Sequence, residues 1–386
     1  MEKIINLTET ESIQEVDASN FLDLKILKEG AVSSQTKTLK RDMSNVSISC
    51  IVLLEDSKQM QAKEKSYNLE ILGNPMFQYV VRACPSVPLC VEFDHDTGDV
   101  FDVVKKYMKN TEYTLVLYSD TPLITKSNIL NIIDFVVAKG LNVCKLTRGW
   151  VFKNDYVRRV DQVYAPSTYY FEEEDFMMAV TYKQLYIITE TLKNRIISYH
   201  MQNGVYFKSP DTTYIESNVA IDSGVTIDAF TSLSGNTEIG KNVHIGARST
   251  LKNAKVFDGA LVDGALIDGG IVCENAIIKT NAKIFEQTAI KANAIVGQDT
   301  IISNAIIGEG STVGKNCVIN YLVADQNVAI GNSCVISGKL DNQVTINKNA
   351  NISDLVTIMP GAKILEGINV KIGKKIKQNK VVDDND

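Results

Sequence analysis

The chain has 386 residues, 45% of them hydrophobic and 22% charged, enough for two ordinary domains that each bury a core. Its formal net charge of −6 excludes a sequence-independent binder of nucleic acid or of an anionic membrane, because either needs a basic face. No apolar run approaches the roughly 18 residues of a membrane span, and the acidic start MEKIINLTETESIQEVD lacks the basic and apolar regions of a signal peptide. Seven cysteines (Cys50, Cys84, Cys90, Cys144, Cys273, Cys317, Cys334) are scattered without CxxC spacing, which predicts reduced, mostly buried thiols in a cytoplasmic protein.

In chain order, residues 1–46 form a polar N-terminal extension, in which IQEVDASNFLDLKILKEG has the spacing of one amphipathic helix. Residues 47–180 read as a shortened α/β domain. SISCIVLLE is the β-branched run of a buried strand, and Gly73-Asn74-Pro75 marks a turn into a helix. TLVLYSD (114–120) is a second buried strand that ends in an aspartate. TKSNILNIIDFVVAKG (125–140) has helical apolar spacing, with Ser127 as N-cap and Gly140 as stop, and LNVCKL follows as a third strand. Strands alternating with helices predict a parallel sheet, whose ligands lie beyond the carboxyl ends of the strands, where Asp120 falls. Residues 181–205 are amphipathic and predict a linker helix.

From 206 to 373 a six-residue period dominates. Ile215, Ile221, Ile227, Leu233, Ile239, Ile245 and Leu251 form one series. Val272, Ile278, Ile284, Ile290, Val296 and Ile302 form a second, and Leu340, Ile346, Ile352, Ile358, Ile364 and Val370 a third. The phase slips by one residue at Leu251–Val256 and Ile302–Ile307. Six residues fit neither a helix nor a two-faced strand, but they fit a short strand and a corner repeated three times per coil. At about eighteen residues per coil, nearly nine coils are expected. The aliphatic residue points inward, and residues such as Asp222, Ser223, Gly240, Asn242 and Gly246 make the corners. Residues 374–386 read as a charged tail.

IGKNVH, IGARST, IGEGST and VGKNCV resemble hexapeptide-repeat proteins, which implies a left-handed parallel β-helix behind the α/β domain. The chain as a whole resembles the bacterial bifunctional enzyme family with N-acetylglucosamine-1-phosphate uridyltransferase and glucosamine-1-phosphate acetyltransferase halves. LKNRIISYHMQNGVYFKSPDTTYIESNVAIDSGV (192–225) is similar to that family's linker helix and first coil, TLVLYSDTPLI (114–124) to its metal-binding strand, GNPM (73–76) to its GKPM turn and CIVLLE to its first strand. The resemblance implies a nucleotidyltransferase-like (Rossmann-like) α/β domain, Asp120 as a Mg²⁺ ligand, Thr97, Gly98 and Ser119 as substrate-binding residues, a nucleotide or sugar-phosphate ligand, and a homotrimer built through the β-helix.

The sequence also departs from that family. Where its AAGxGTRM loop should wrap nucleotide phosphates, LEDSKQM (54–60) has no glycine, and Glu55 and Asp56 bring negative charge. The second metal ligand, an asparagine in the family, is missing from VTYKQL (180–185), and Lys65 is only adjacent to the family's lysine position at Tyr67. The sugar-binding section between Leu146 and Val180 is largely deleted, with GWVF (149–152) as a remnant strand. No acetyltransferase base stands out among His95, His200 and His244; His200 belongs to the linker helix, and His244 reads as a corner or outward-facing residue. Three functions follow: a uridyltransferase with altered loops, a non-catalytic paralogue acting as a binding or regulatory subunit, and a purely structural trimer. Residue chemistry favours the second.

Overall fold

The computed structural model describes residues 4–5, 46–163, 166–169 and 174–383; the amphipathic helix expected at 13–30 lies outside the described residues. The chain divides into two compact units, one ending at Ile196 and the other beginning at Ile197. Among the described residues no helix is long and apolar enough to cross a membrane.

The first unit is built on a seven-stranded sheet. Its strands are β1 (Ile4–Ile5), β2 (Ile48–Glu55), β5 (Leu89–Phe93), β6 (Tyr113–Tyr118), β7 (Val143–Leu146), β8 (Gly149–Lys153) and β9 (Ser167–Thr168), in the order β1-β5-β2-β6-β8-β7-β9. A small ribbon of β3 (Glu70–Ile71) and β4 (Asn74–Pro75) leads into helix α1 (Met76–Ala83); α2 (Val100–Tyr107) and α3 (Lys126–Lys139) follow β5 and β6. Alternate side chains of a strand face opposite layers. Val52 and Leu54 of β2 pack with Leu115, Leu117 and the apolar residues of α1 and α3. Ile51 and Leu53 face the other way, onto Val116, Phe152 and α2.

The sheet is mixed rather than parallel throughout. β2 pairs parallel with β5 and β6, but β8 inserts antiparallel between β6 and β7. Only Thr147 and Arg148 separate β7 from β8, too few residues for a crossover, so the chain must turn back as a hairpin. Gly149 makes that possible: its φ is +144°, and a Cβ there would lie 2.5 Å from the Val116 carbonyl oxygen. The N-cap of helix α3 lies two residues before the expected Ser127. Thr125 is its N-cap: Thr125 Oγ1 accepts from the Asn128 amide at 3.1 Å, and Asn128 Oδ1 accepts from the Thr125 amide at 2.9 Å. Gly140, left-handed at φ +60°, ends the helix as expected. Helix α4 (Asn154–Val157) is one turn after β8, and α5 (Tyr182–Gln202) falls on the expected linker helix, with the division between the units inside it.

The second unit is a parallel β-solenoid of three ten-stranded sheets. Successive aliphatic residues of the six-residue series fall on the three sheets in turn, so each sheet contributes one buried column. One column runs Ile215, Leu233, Leu251, Ile267, Ile284 and Ile302, each paired in register with the next. Corners place Asn242, Asn275, Asn281 and Asn293 at positive φ, a conformation asparagine tolerates better than most residues. The solenoid is longer than expected. Strands Lys375–Ile376 and Val381–Val382 extend it past Gly373 into the segment read as a charged tail, with Ile376 and Val382 six and twelve residues beyond Val370. Ten strands per sheet give ten coils rather than nearly nine. Leu340 leaves the column: it keeps the period, yet it is 73% exposed in a short excursion closed by the Lys339–Asn342 bridge. The coil from Ile336 to Ile346 is lengthened there, and spacing alone cannot tell an inserted turn from a rung.

All seven cysteines are free thiols; Cys273 is partly exposed and the other six are buried.

Candidate functional site

The carboxyl ends of β2, β5 and β6 open onto a cavity of about 950 Å³ in the first unit. Its floor is an ion network. β2 ends at Glu55, which is nearly buried, and the turn after β6 delivers Asp120, 4% exposed. Between them stands Arg148, at the tip of the β7–β8 hairpin. Its Nε lies 3.2 Å from both Asp120 carboxylate oxygens, its Nη2 lies 2.8 Å from Asp120 Oδ2, and Nη2 also donates to Glu55 Oε2. The guanidinium lies 3.8 Å from the centroid of the Tyr118 ring. The β6–β8 register explains the meeting: Leu117 pairs with Gly149, so the residue before Gly149 stands beside Tyr118, the last residue of β6. Burial pushes the Asp120 carboxyl above its ordinary value, against the opposing pull of Arg148.

The rest of the wall is polar. Asp56 Oδ1 accepts from the Ser66 amide at 2.9 Å, and Lys65 pairs with Asp56 at 3.1 Å, which fixes the loop that lacks glycine. Hydrogen bonds to Ser66 and Lys65 hold the Asp56 carboxyl below its usual value in spite of partial burial. Ser57 Oγ donates to the Val180 carbonyl at 2.8 Å. The Tyr67 hydroxyl donates to Glu92 at 2.9 Å; burial and that carboxylate push the phenol well up. His95 lies between Glu55 and Asp96, its Nε2 3.2 Å from Asp96 Oδ1. Asp94, His95 and Asp96 bring potential metal-ligating atoms within 4.8 Å of one another; all three are exposed, and Lys58 pairs with both aspartates.

The expected site residues divide. Thr97, Gly98 and Asp120 line the cavity. Thr97 and Gly98 form the turn after β5, where both amides donate to the Asp94 carbonyl, at 3.1 and 2.9 Å. Ser119 is fully buried and is not among the lining residues; its Oγ accepts from the Glu55 amide at 3.3 Å, tying the ends of β2 and β6 together. Arg148 was given no role by the sequence. A basic residue beside a glycine in a two-residue hairpin loop was the available signal, and its partners lie 28 and 93 positions away.

In the second unit, His200 is fully buried, neither ring nitrogen is hydrogen-bonded among the described residues, and burial lowers its pKa to about 4. His244 projects outward from its strand as expected, half-buried, with Nε2 3.2 Å from Asp228 Oδ1; Lys208 Nζ lies 2.6 Å from the same oxygen.

No family model matches the sequence. Among curated proteins it is similar to the bifunctional protein GlmU of Clostridioides difficile (strain 630), 30% identical over 122 residues that make up 32% of this chain and 27% of that protein. The GlmU of Enterococcus faecalis (strain ATCC 700802 / V583) is 27% identical over 120 residues, 31% of this chain and 26% of that protein. The chain thus spans little more than a quarter of these relatives. Among solved structures it is similar to the UDP-N-acetylglucosamine O-acyltransferase LpxA from Moraxella catarrhalis RH4, at 17% identity and a TM-score of 0.36 over 40% of this chain and 69% of that one. The UDP-N-acetylglucosamine acyltransferase of Francisella novicida gives 16% identity and a TM-score of 0.24 over 46% and 62%.

Proposed function

We propose, from the premise that over about a third of its length this chain is a divergent relative of bifunctional GlmU proteins, that its α/β unit is a ligand-binding relative of a nucleotidyltransferase that has given up metal-dependent transfer. The observation that carries this reading is the Arg148 clamp. A magnesium ion needs carboxylate oxygens with free lone pairs together with the ligand's phosphates. Here both oxygens of Asp120 accept from Arg148, and Glu55 closes the other side of the guanidinium. The fixed cation stands where a divalent one would be wanted, and the donor set does not fit the metal. The absence of glycine from 54–60 supports the same reading, since polyphosphate needs close backbone approach.

Calorimetric titration of UTP with and without Mg²⁺, on the wild type and Asp120→Asn, tests it. The expected result is no metal-dependent binding and no pyrophosphate release when N-acetylglucosamine-1-phosphate is added. Micromolar, Mg²⁺-dependent binding that Asp120→Asn abolishes would restore the transferase reading.

We further infer that the solenoid assembles as a homotrimer. The support is its outward apolar positions: Val318 and Val335 are neighbours on one sheet, and Ile271 and Ile306 stand on another, all more than a third exposed. Light scattering at micromolar concentration checks this, and a monomer would count against it.

A further inference from the structure

We infer that the cavity above Arg148 takes an uncharged, hydroxyl-rich ligand, a monosaccharide or the ribose end of a nucleoside, and that Arg148 Nη1 is its fixed hydrogen-bond donor. This rests on the metal-free reading above and names the ligand class for the same site.

A guanidinium has five N–H donors. In Arg148 the Nε hydrogen goes to Asp120 and the Nη2 hydrogens go to Asp120 and Glu55, whereas among the described residues nothing accepts from Nη1. Arg148 lines the cavity, and it is held by carboxylates in its plane and by the Tyr118 ring against its face. The free donor pair is therefore oriented before any ligand arrives, so little side-chain freedom is lost when an oxygen docks on it.

The charge of the walls decides which oxygen. Eight carboxylates line the cavity against three lysines and one arginine. Arg148 is already shared by two carboxylates, Lys65 is paired with Asp56, and Lys58 with Asp94 and Asp96. A polyphosphate entering this field meets net repulsion, and each added phosphate makes it worse. A polyol meets the opposite situation. Its hydroxyls both donate and accept, so they can receive from Nη1 and give to carboxylates such as Glu92 and Asp102, which also line the cavity. Tyr67 and Phe93 add aromatic surface to the same walls.

The wild-type chain is titrated calorimetrically in EDTA with N-acetylglucosamine, and separately with uridine, UMP, UDP and UTP. We expect one polyol arm to bind, which distinguishes sugar from nucleoside, and each phosphate added to uridine to weaken binding about threefold or more. Replacing EDTA by Mg²⁺ should leave the polyol Kd unchanged. Arg148→Lys keeps the charge but loses the fork, and should weaken the polyol about tenfold while the circular dichroism spectrum is unchanged. If that variant fails to fold, the phosphate series in the wild type still decides. Binding that tightens with each phosphate in EDTA overturns this inference alone, as does spermidine binding more tightly than either polyol, or an Arg148→Lys variant with unchanged polyol affinity. Tightening of UTP that appears only with Mg²⁺ overturns the metal-free reading as well.

Discussion

Replacing His200 with leucine should make the solenoid unit markedly less sensitive to acid. The imidazole is fully buried, neither nitrogen has a partner among the described residues, and its pKa falls to about 4 from an ordinary 6.5. Between those values the unfolded chain binds a proton that the folded chain refuses. Stability is therefore full above pH 6.5, declines as the pH falls through the window and levels off below 4. Linkage puts the loss from this one residue at about 1 kcal/mol at pH 5.5, growing to about 3 kcal/mol once the window is crossed. Leucine has similar volume and nothing to protonate, and it removes two unsatisfied buried polar atoms, so it should also be no less stable at neutral pH. Urea unfolding followed by circular dichroism at pH 7.5, 5.5 and 4.5 gives the difference between variant and wild type, in which titrations common to both cancel. That difference should grow by the amounts above; a pH-independent difference would refute the claim that His200 is buried neutral.

Gly149→Ala should destabilise the first unit by about 2 kcal/mol or more, because the new Cβ meets the Val116 carbonyl and φ is positive; a thermal melt unchanged within error would contradict this. Thr125→Ala removes the cap of α3 and should cost about 1 kcal/mol, read as a lower urea midpoint. Ile302→Ala opens a cavity in a solenoid column and should cost about 2–5 kcal/mol, whereas Lys283→Ala, on an outward position, should change little; similar effects from the two would undo the assignment of the inward face.

What the sequence disclosed follows from the range of the interactions. The solenoid was legible because one inward position recurs every sixth residue, so Ile215 to Ile302 announce it many times over. Leu340 was misplaced because an inserted turn can preserve the period while leaving the stack. Ile376 and Val382 were overlooked because lysines surround them, although lysine is at home on an outward position. In the first unit the buried runs and the strand-end location of Asp120 could be read locally. The antiparallel insertion of β8 depended on counting two residues in a loop, and Arg148 depended on partners brought together by the sheet. Ser119 shows the converse: its neighbour Asp120 faces the cavity while its own side chain turns into the protein.

The final coils carry Lys371, Lys374, Lys375, Lys377 and Lys380, with no acidic residue between them. Three parallel sheets present their last described strands in this region, at Asn369–Val370, Lys375–Ile376 and Val381–Val382. A repeated column of isoleucine and valine is the kind of sequence that can pair with copies of itself, and charged side chains on the outward positions are a common defence against such pairing. Five lysines around these strands place charge on the outside of the coils and leave the backbone pairing within the chain untouched.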